Sequence, residues 1–242
     1  MFKMIWLVLR AVPFLLWNYF TWILHYYHKR KKYTIEVRYA KVRKFIIKAL
    51  KVLHVELEVE GVENLNSPGI KMLTPNHQAV LDPAYIIALS EKPVAFMAKI
   101  ESKKIPIINK IMGILDCDYL DRKDLHQQVR VLKNVENSLL EGKINWGVFP
   151  EGTRNKDIDN VVVNEFHPGT FKMAIRNNFD VVPVAIDNSY KVLSKKYHAK
   201  RFKIKISFLP PVNAQSLNTQ NTIDFAKDVQ KQVEDKIIEF RK

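Results

Sequence analysis

The chain has 242 residues, 47% hydrophobic and 11% aromatic, which is enough apolar material for a buried core and excludes a disordered chain. Its 39 Lys and Arg against 25 Asp and Glu give a formal net charge of +14, which points to an anionic partner: membrane lipid, nucleic acid or a phosphorylated substrate. The single cysteine, Cys117, excludes an internal disulfide.

From Ile5 to Tyr27 the chain is dominated by Trp6, Leu7, Val8, Leu9, Phe14, Leu15, Leu16, Trp17, Tyr19, Phe20, Trp22, Ile23 and Leu24. Arg10, Pro13, Asn18 and His25 interrupt this run. The uninterrupted pieces are short for a bilayer span, and the tryptophans and tyrosines favour the headgroup level. The segment therefore reads as dipping into one leaflet as half of a helical pair, with a bilayer span as the alternative. The next segment, Ile35 to Leu53, carries Lys41, Lys44, Lys48 and Lys51 on one helical stripe and Val42, Phe45, Ile46, Ala49 and Leu53 on another. A basic face beside an apolar face describes a helix lying in the membrane interface, where each lysine near anionic lipid contributes about 1 kcal/mol. Residues 1–53 are thus expected to form a membrane-associated helical pair, and residues 54–242 an α/β domain.

Within that domain, His54 to Glu60 alternates apolar and acidic, as a half-exposed strand does. Gly61 to Pro68 reads as a loop, Gly69 to Leu73 as a buried strand, and Pro83 opens a helix over Ala84 to Leu89. Short apolar strands follow at Val94 to Met97, Cys117 to Leu120, Ile144 to Phe149 and Val181 to Ile186. Between them lie helical stretches at Ile107 to Ile114, Asp124 to Glu141 and Gly169 to Asn177. The second of these presents Leu125, Val129, Leu132, Val135 and Leu139 on one face. Asn155 to Pro168 reads as a mobile loop, Arg201 to Leu209 as a strand and Thr222 to Lys242 as a terminal helix. This alternation predicts an α/β fold with a mixed sheet covered by helices on both faces. Functional loops of such sheets gather at one end of the strands.

The chemistry concentrates in Thr74 to Pro83, where His77 and Asp82 stand five positions apart at a strand-to-helix junction. A histidine that a carboxylate can orient is a minimal kit for taking a proton from an alcohol. Asp82 before Pro83 also reads as an ordinary helix cap. Lys99, Arg122 and Arg154 each follow a short apolar strand, and their convergence near His77 would make a phosphate pocket. Glu151 and Gly152 share the turn that carries Arg154. A Gly-x-Ser-x-Gly elbow, a phosphate loop, a dinucleotide fingerprint and His-Glu-x-x-His are all absent. Cys117, in an apolar strand, reads as core. No aromatic RNA-binding signature accompanies the basic charge, so no nucleic-acid partner is expected. Two alternatives stand beside a transferase: a non-catalytic basic membrane-binding protein, and a phosphohydrolase using His77, His126 or His167 with a metal.

The motifs taken together resemble the glycerophospholipid acyltransferase family of the bacterial 1-acyl-sn-glycerol-3-phosphate acyltransferase type, over about Arg38 to Ile186. The family's Asn-His-x-x-x-x-Asp is Asn76-His77 through Asp82, and its Phe-Pro-Glu-Gly-Thr-Arg is Phe149 to Arg154. Its fourth motif is similar to Val181 to Ile186, and Lys99 matches a recurrent lysine. Its second motif runs from a glycine to Asp-Arg. Here Asp121-Arg122 matches the end, Asp116 stands in the glycine's place, and Asp118 puts a charge inside the strand. The resemblance implies acyl transfer from an acyl thioester to the free hydroxyl of lysophosphatidic acid, giving phosphatidic acid. Acylation of glycerol-3-phosphate or another lysophospholipid is the runner-up. It implies His77 as general base and Asp82 as its orienting partner. Substrate binding falls to Lys99, Arg122, Glu151, Gly152, Thr153 and Arg154. No metal and no cofactor are implied beyond acyl carrier protein or coenzyme A as carrier of the acyl group. The implied partner surface is anionic membrane lipid, on the cytoplasmic face of the cell membrane.

Overall fold

The computed structural model describes residues 11–194, 196–197, 199–217 and 221–242. Trp6, Leu7, Val8, Leu9 and Arg10 of the apolar N-terminal run lie outside the described residues. Residues 11–18 form α1, which continues through a π-helical turn at Tyr19–Ile23 into α2 (Leu24–His28). After a single 3-10 turn at Arg30–Lys32 comes α3 (Ile35–Val52). The sheet domain follows as β1 (Val55–Glu60), α4 (Val62–Asn66), β2 (Met72–Pro75), α5 (Asp82–Leu89), β3 (Val94–Lys99), α6 (Pro106–Ile114) and β4 (Asp118–Leu120). It is completed by α7 (Leu125–Leu140), β5 (Asn145–Gly147), α8 (Lys172–Asn177), β6 (Val181–Asp187), β7 (Phe202–Phe208) and α9 (Thr222–Arg241).

The seven strands make one sheet in the order β1-β7-β6-β2-β5-β3-β4. β6, β2, β5, β3 and β4 run parallel. β7 is antiparallel to β6, and β1 is parallel to β7, so the sheet is mixed, as expected. Strand residues alternate between two cores, one on each face. Leu73, Val182, Val184 and Ile186 pack with α3 and α5, whereas Met72, Val181 and Ala185 pack with α7 and α9. Because five strands are parallel, the chain segments leaving β2, β3, β4, β5 and β6 all emerge at one edge. That edge receives Asn76-His77, Lys99, Asp121-Arg122, the Phe149 to Arg154 turn and Asp187.

Four local expectations change. The stretch Gly61 to Pro68, read as a loop, carries the short helix α4. The stripe of α3 assigned to lipid faces inward: Val42, Phe45 and Ile46 are buried, and Phe45 stacks on Phe14 and meets Trp22 edge-on. The first helical segment is thus a cover for α3, and both share a core with the sheet. Lys41, Lys44, Lys48 and Lys51 are exposed. On α7 the buried face is Val131, Val135 and Leu139, spaced at four, while Leu125 and Val129 are 72% and 60% exposed. The segment Asn155 to Pro168 is pinned. Asn155 donates from its backbone to His77 O at 2.7 Å, Val163 and Phe166 are buried, and Phe166 N donates to Gln230 Oε1 at 2.9 Å. Cys117 is half-buried and packs against both cores: its Sγ accepts from Phe96 N at 3.3 Å, and withdrawal of the sulfur from water pushes the thiol up to about 12.

Candidate active site

Strand β2 ends at Pro75, and Asn76 extends its ladder with a side chain. Asn76 Nδ2 donates to Ile186 O at 2.9 Å and Oδ1 accepts from Ile186 N at 2.7 Å, so both polar groups of a β6 residue are satisfied. The backbone is then free to leave the sheet at His77. Its N–H donates to Glu151 Oε1 at 2.5 Å, and its carbonyl accepts from Asn155. The imidazole lies against the ring of Phe149, with centroids 4.2 Å apart. Phe149 stacks in turn on Phe96, whose ring occupies the space over Gly147 where a Cβ would come within 2.1 Å. Glycine at 147 thus admits the aromatic row that backs the histidine.

Asp82 is the first residue of α5, and its carboxylate faces backward. One oxygen, Oδ2, accepts from His77 Nδ1, Gln78 N and Ala79 N, each at 2.8 Å. The side chain is fully buried, whereas that of His77 is 19% exposed. A carboxylate only accepts, so in the neutral ring Nδ1 carries the hydrogen and Nε2 keeps its lone pair. The five-residue spacing therefore delivers an oriented imidazole, whereas the cap reading fails: Leu81 takes the N-cap position, and the Asp82 carboxylate binds N–H groups that precede α5.

Glu151 is buried, and its second oxygen accepts from Asn164 N at 3.1 Å. It joins the turn of Phe149 to Arg154, the backbone of His77 and the following loop. It holds the base in place and does not face outward as a binding group. Burial pushes its carboxyl up to about 7 against the pull of the two N–H donors. The folded chain thus holds this proton more tightly than the unfolded chain, whose carboxyl titrates near 4.5. The resulting stability is complete below about pH 4.5 and is lost as pH rises through about 7. Glu151→Gln is expected to remove that slope, so urea melts of wild type and variant should diverge between those two pH values. Parallel profiles would show that Glu151 titrates as it does in the unfolded chain.

Gly152 has φ +62°, and a Cβ there would come 3.0 Å from Arg122 Nη2 and 3.4 Å from His167 Nε2. The bare glycine therefore leaves room for the Arg122 guanidinium, which makes a cationic cradle, with the His167 imidazole near the same spot. His167 is the partner that the sequence reading missed in this role. Its only signal was its place just before Pro168, which opens a 3-10 turn at Pro168–Phe171. Arg154 is exposed and lines a separate cleft with Gln78, Val80, Ser189, Tyr190 and Leu193, which contains neither Arg122 nor His167. Lys99 ends β3 in register with Leu120 and is exposed, and Thr153 is exposed as well. The structure thus gathers His77, Asp82 and Glu151 tightly and Arg122 with Gly152, and leaves Lys99 and Arg154 on the rim. Gln78, next to the base, donates to Asp187 Oδ1 at 3.1 Å, and Asp187 pairs with Arg241 at 3.0 Å. Among the described residues, no three His, Cys, Asp or Glu side chains cluster to hold a metal ion.

The class of protein that this fold and sheet edge belong to is a group-transfer enzyme: the chain belongs to the Acyltransferase family, whose model matches residues 56–187. It is similar to a protein named a probable 1-acyl-sn-glycerol-3-phosphate acyltransferase from Mycoplasma pneumoniae, 27% identical over 84% of this chain and 79% of that one. A 1-acyl-sn-glycerol-3-phosphate acyltransferase of Saccharomyces cerevisiae is 28% identical over 78% of this chain and 62% of its own. Among solved structures, the 1-acyl-sn-glycerophosphate (LPA) acyltransferase PlsC from Thermotoga maritima superposes with a TM-score of 0.72 at 25% identity, covering 97% of this chain and 98% of that one.

Proposed function

We propose that the protein moves a fatty acyl group from an acyl thioester to the free hydroxyl of lysophosphatidic acid, forming phosphatidic acid. The observation that carries this reading is the bond of 2.8 Å between His77 Nδ1 and Asp82 Oδ2, which leaves Nε2 as an accessible base. Nε2 takes the hydroxyl proton as the oxygen attacks the thioester carbonyl. Asp82 stabilises the imidazolium that results. The tetrahedral oxyanion collapses and expels the thiolate, which recovers a proton from His77. Attack is direct, so no acyl-enzyme forms and no cofactor is required beyond the carrier of the acyl group, acyl carrier protein or coenzyme A. Arg122, beside Gly152, contacts the acceptor phosphate, with Lys99 and Arg154 adding positive potential at the rim. The reading is supported by the names of the relatives and by the cationic cradle. The decisive assay supplies purified protein with lysophosphatidic acid and an acyl thioester and follows free thiol. Thiol release that does not depend on the acceptor would overturn the proposal.

The same reading places the enzyme on the cytoplasmic face of the cell membrane, with residues 1–53 as the membrane-associated unit and 54–242 as the catalytic domain. No helix among the described residues is long and apolar enough to cross a membrane. Instead, α1 and the π turn expose Val12, Leu16, Trp17 and Phe20 on one side. These side chains are suited to the boundary between headgroups and acyl chains, and Lys29, Arg30, Lys31 and Lys32, all exposed, suit anionic headgroups. Exchanging Leu16, Trp17 and Phe20 together for serine is expected to reduce flotation with anionic vesicles at least about tenfold, since burying each such side chain contributes about 1.5–3 kcal/mol. Unchanged flotation would remove this face from the membrane contact.

A further inference from the structure

Arg38 stands apart from the other cations of α3. It is buried at 7% exposure, and its guanidinium reaches across to the far end of α6. Nη1 donates to Ile114 O at 2.5 Å, and Nη2 donates to Asp116 Oδ2 at 2.6 Å. A guanidinium is withdrawn from water at large cost unless its partners are well placed. Here one partner is a carbonyl at the end of a helix, where donors are scarce. The other is a carboxylate whose own backbone is in the left-handed region, at φ +53°. A residue with a Cβ is strained there, and glycine is not.

That turn is the entry to β4. The strand is three residues long and pairs only with β3 among the described residues, with Met97 opposite Asp118 and Lys99 opposite Leu120. Its exit is fixed from α7, where Gln127 Nε2 bonds Tyr119 O and Gln127 Oε1 accepts from Asp121 N at 2.9 Å. One residue beyond lies Arg122, over Gly152. A three-residue edge strand has little pairing of its own to set its path, so its entry and exit bonds decide where Arg122 arrives.

We propose that Arg38 is a positioning residue for Arg122: from the N-terminal helix, it clamps the left-handed turn at Asp116 and so sets the affinity of the site for the acceptor phosphate. The inference rests on the reading of Arg122 as the acceptor's phosphate contact. The ion pair does the work that a glycine would do at position 116 by conformational freedom alone.

The test is steady-state kinetics of the full chain with lysophosphatidic acid and an acyl thioester, for wild type, Arg38→Met, Asp116→Gly and the double variant. Arg38→Met should raise KM for lysophosphatidic acid about tenfold, with kcat and the donor KM changed by less than about threefold. The double variant should recover most of that loss, because glycine holds the turn without the clamp. An unchanged acceptor KM, an equal effect on both substrates and kcat, or no recovery in the double variant would each overturn the proposal. If Arg38→Met does not fold, Arg38→Lys supplies the same comparison: one ammonium cannot serve both acceptors as the fork does, so the acceptor KM should still rise, and no rise overturns the proposal. Arg122→Ala separates the two questions. If it raises the acceptor KM while the Arg38 variants do not, the clamp is wrong and the reading of Arg122 stands. If Arg122→Ala leaves that KM unchanged, the underlying reading has failed.

Discussion

Replacing His77 with alanine is expected to lower kcat by about 10³-fold, within the roughly 10²–10⁴-fold range of general-base assistance. The fold should survive this change. The ring's polar partner is Asp82, and its aromatic neighbour is Phe149. The bonds that shape the turn use the backbone of His77 and the side chains of Asn76 and Glu151, none of which the substitution removes. The acceptor KM should change little, because the cationic cradle lies at Gly152. Thiol release by the purified variant, read beside its thermal unfolding, decides the matter. Near-normal turnover in a folded variant would remove His77 as the base.

Asp82→Asn should cost nearly as much, about 10²–10⁴-fold in kcat, for a different reason. An amide oxygen can occupy the place of Oδ2 and still accept from Gln78 N and Ala79 N, so the turn persists. It cannot offer a negative charge to the imidazolium. Asp82→Ala adds a structural loss, because two backbone donors in a buried turn lose their charged acceptor, at about 3 kcal/mol. The asparagine variant therefore isolates chemistry from folding. If it kept kcat within about fivefold of wild type while folded, orientation by Asp82 would be disproved.

The site was legible in the sequence where its geometry is local. Five residues from His77 to Asp82 across a strand-to-helix junction suffice to bring Nδ1 to the carboxylate, and the turn of Phe149 to Arg154 carries its own glycine at positive φ. What escaped is long-range or depends on which side of an element a residue faces. Glu151 reads as a polar residue in a binding loop. Only the fold puts His77 N on one of its oxygens and Asn164 N on the other, converting a binding group into a brace. His167 and Arg122 approach Gly152 from three separate chain segments, so no spacing announces it. Helical periodicity placed the stripe of α3 but did not say what covers it, and on α7 it chose Leu125 and Val129 where Val131 is buried. Phe45 meets Phe14 and not lipid, and Leu125 lies in solvent because α7 turns Val131 to the sheet. The departure at Asp116 was visible as a charge in a glycine's place. Its compensation was not, because Arg38 lies in another helix, far back in the chain.

The pairing of β1 with β7 has a consequence for biogenesis. Among the described residues β1 pairs with β7 alone, and roughly 140 residues separate the two strands. At a synthesis rate of about 5–20 residues per second, β1 waits about 7–30 s for its partner to be made. For most of that interval α3 and the helical segment before it also lack Val182, Val184 and Ile186 of β6, strand side chains that later complete their core. The emerging chain therefore carries Phe14, Trp22 and Phe45 uncovered by the sheet before the catalytic domain exists. Until the sheet closes, the packing of Phe45 on Phe14 and Trp22 is what withdraws these side chains from water.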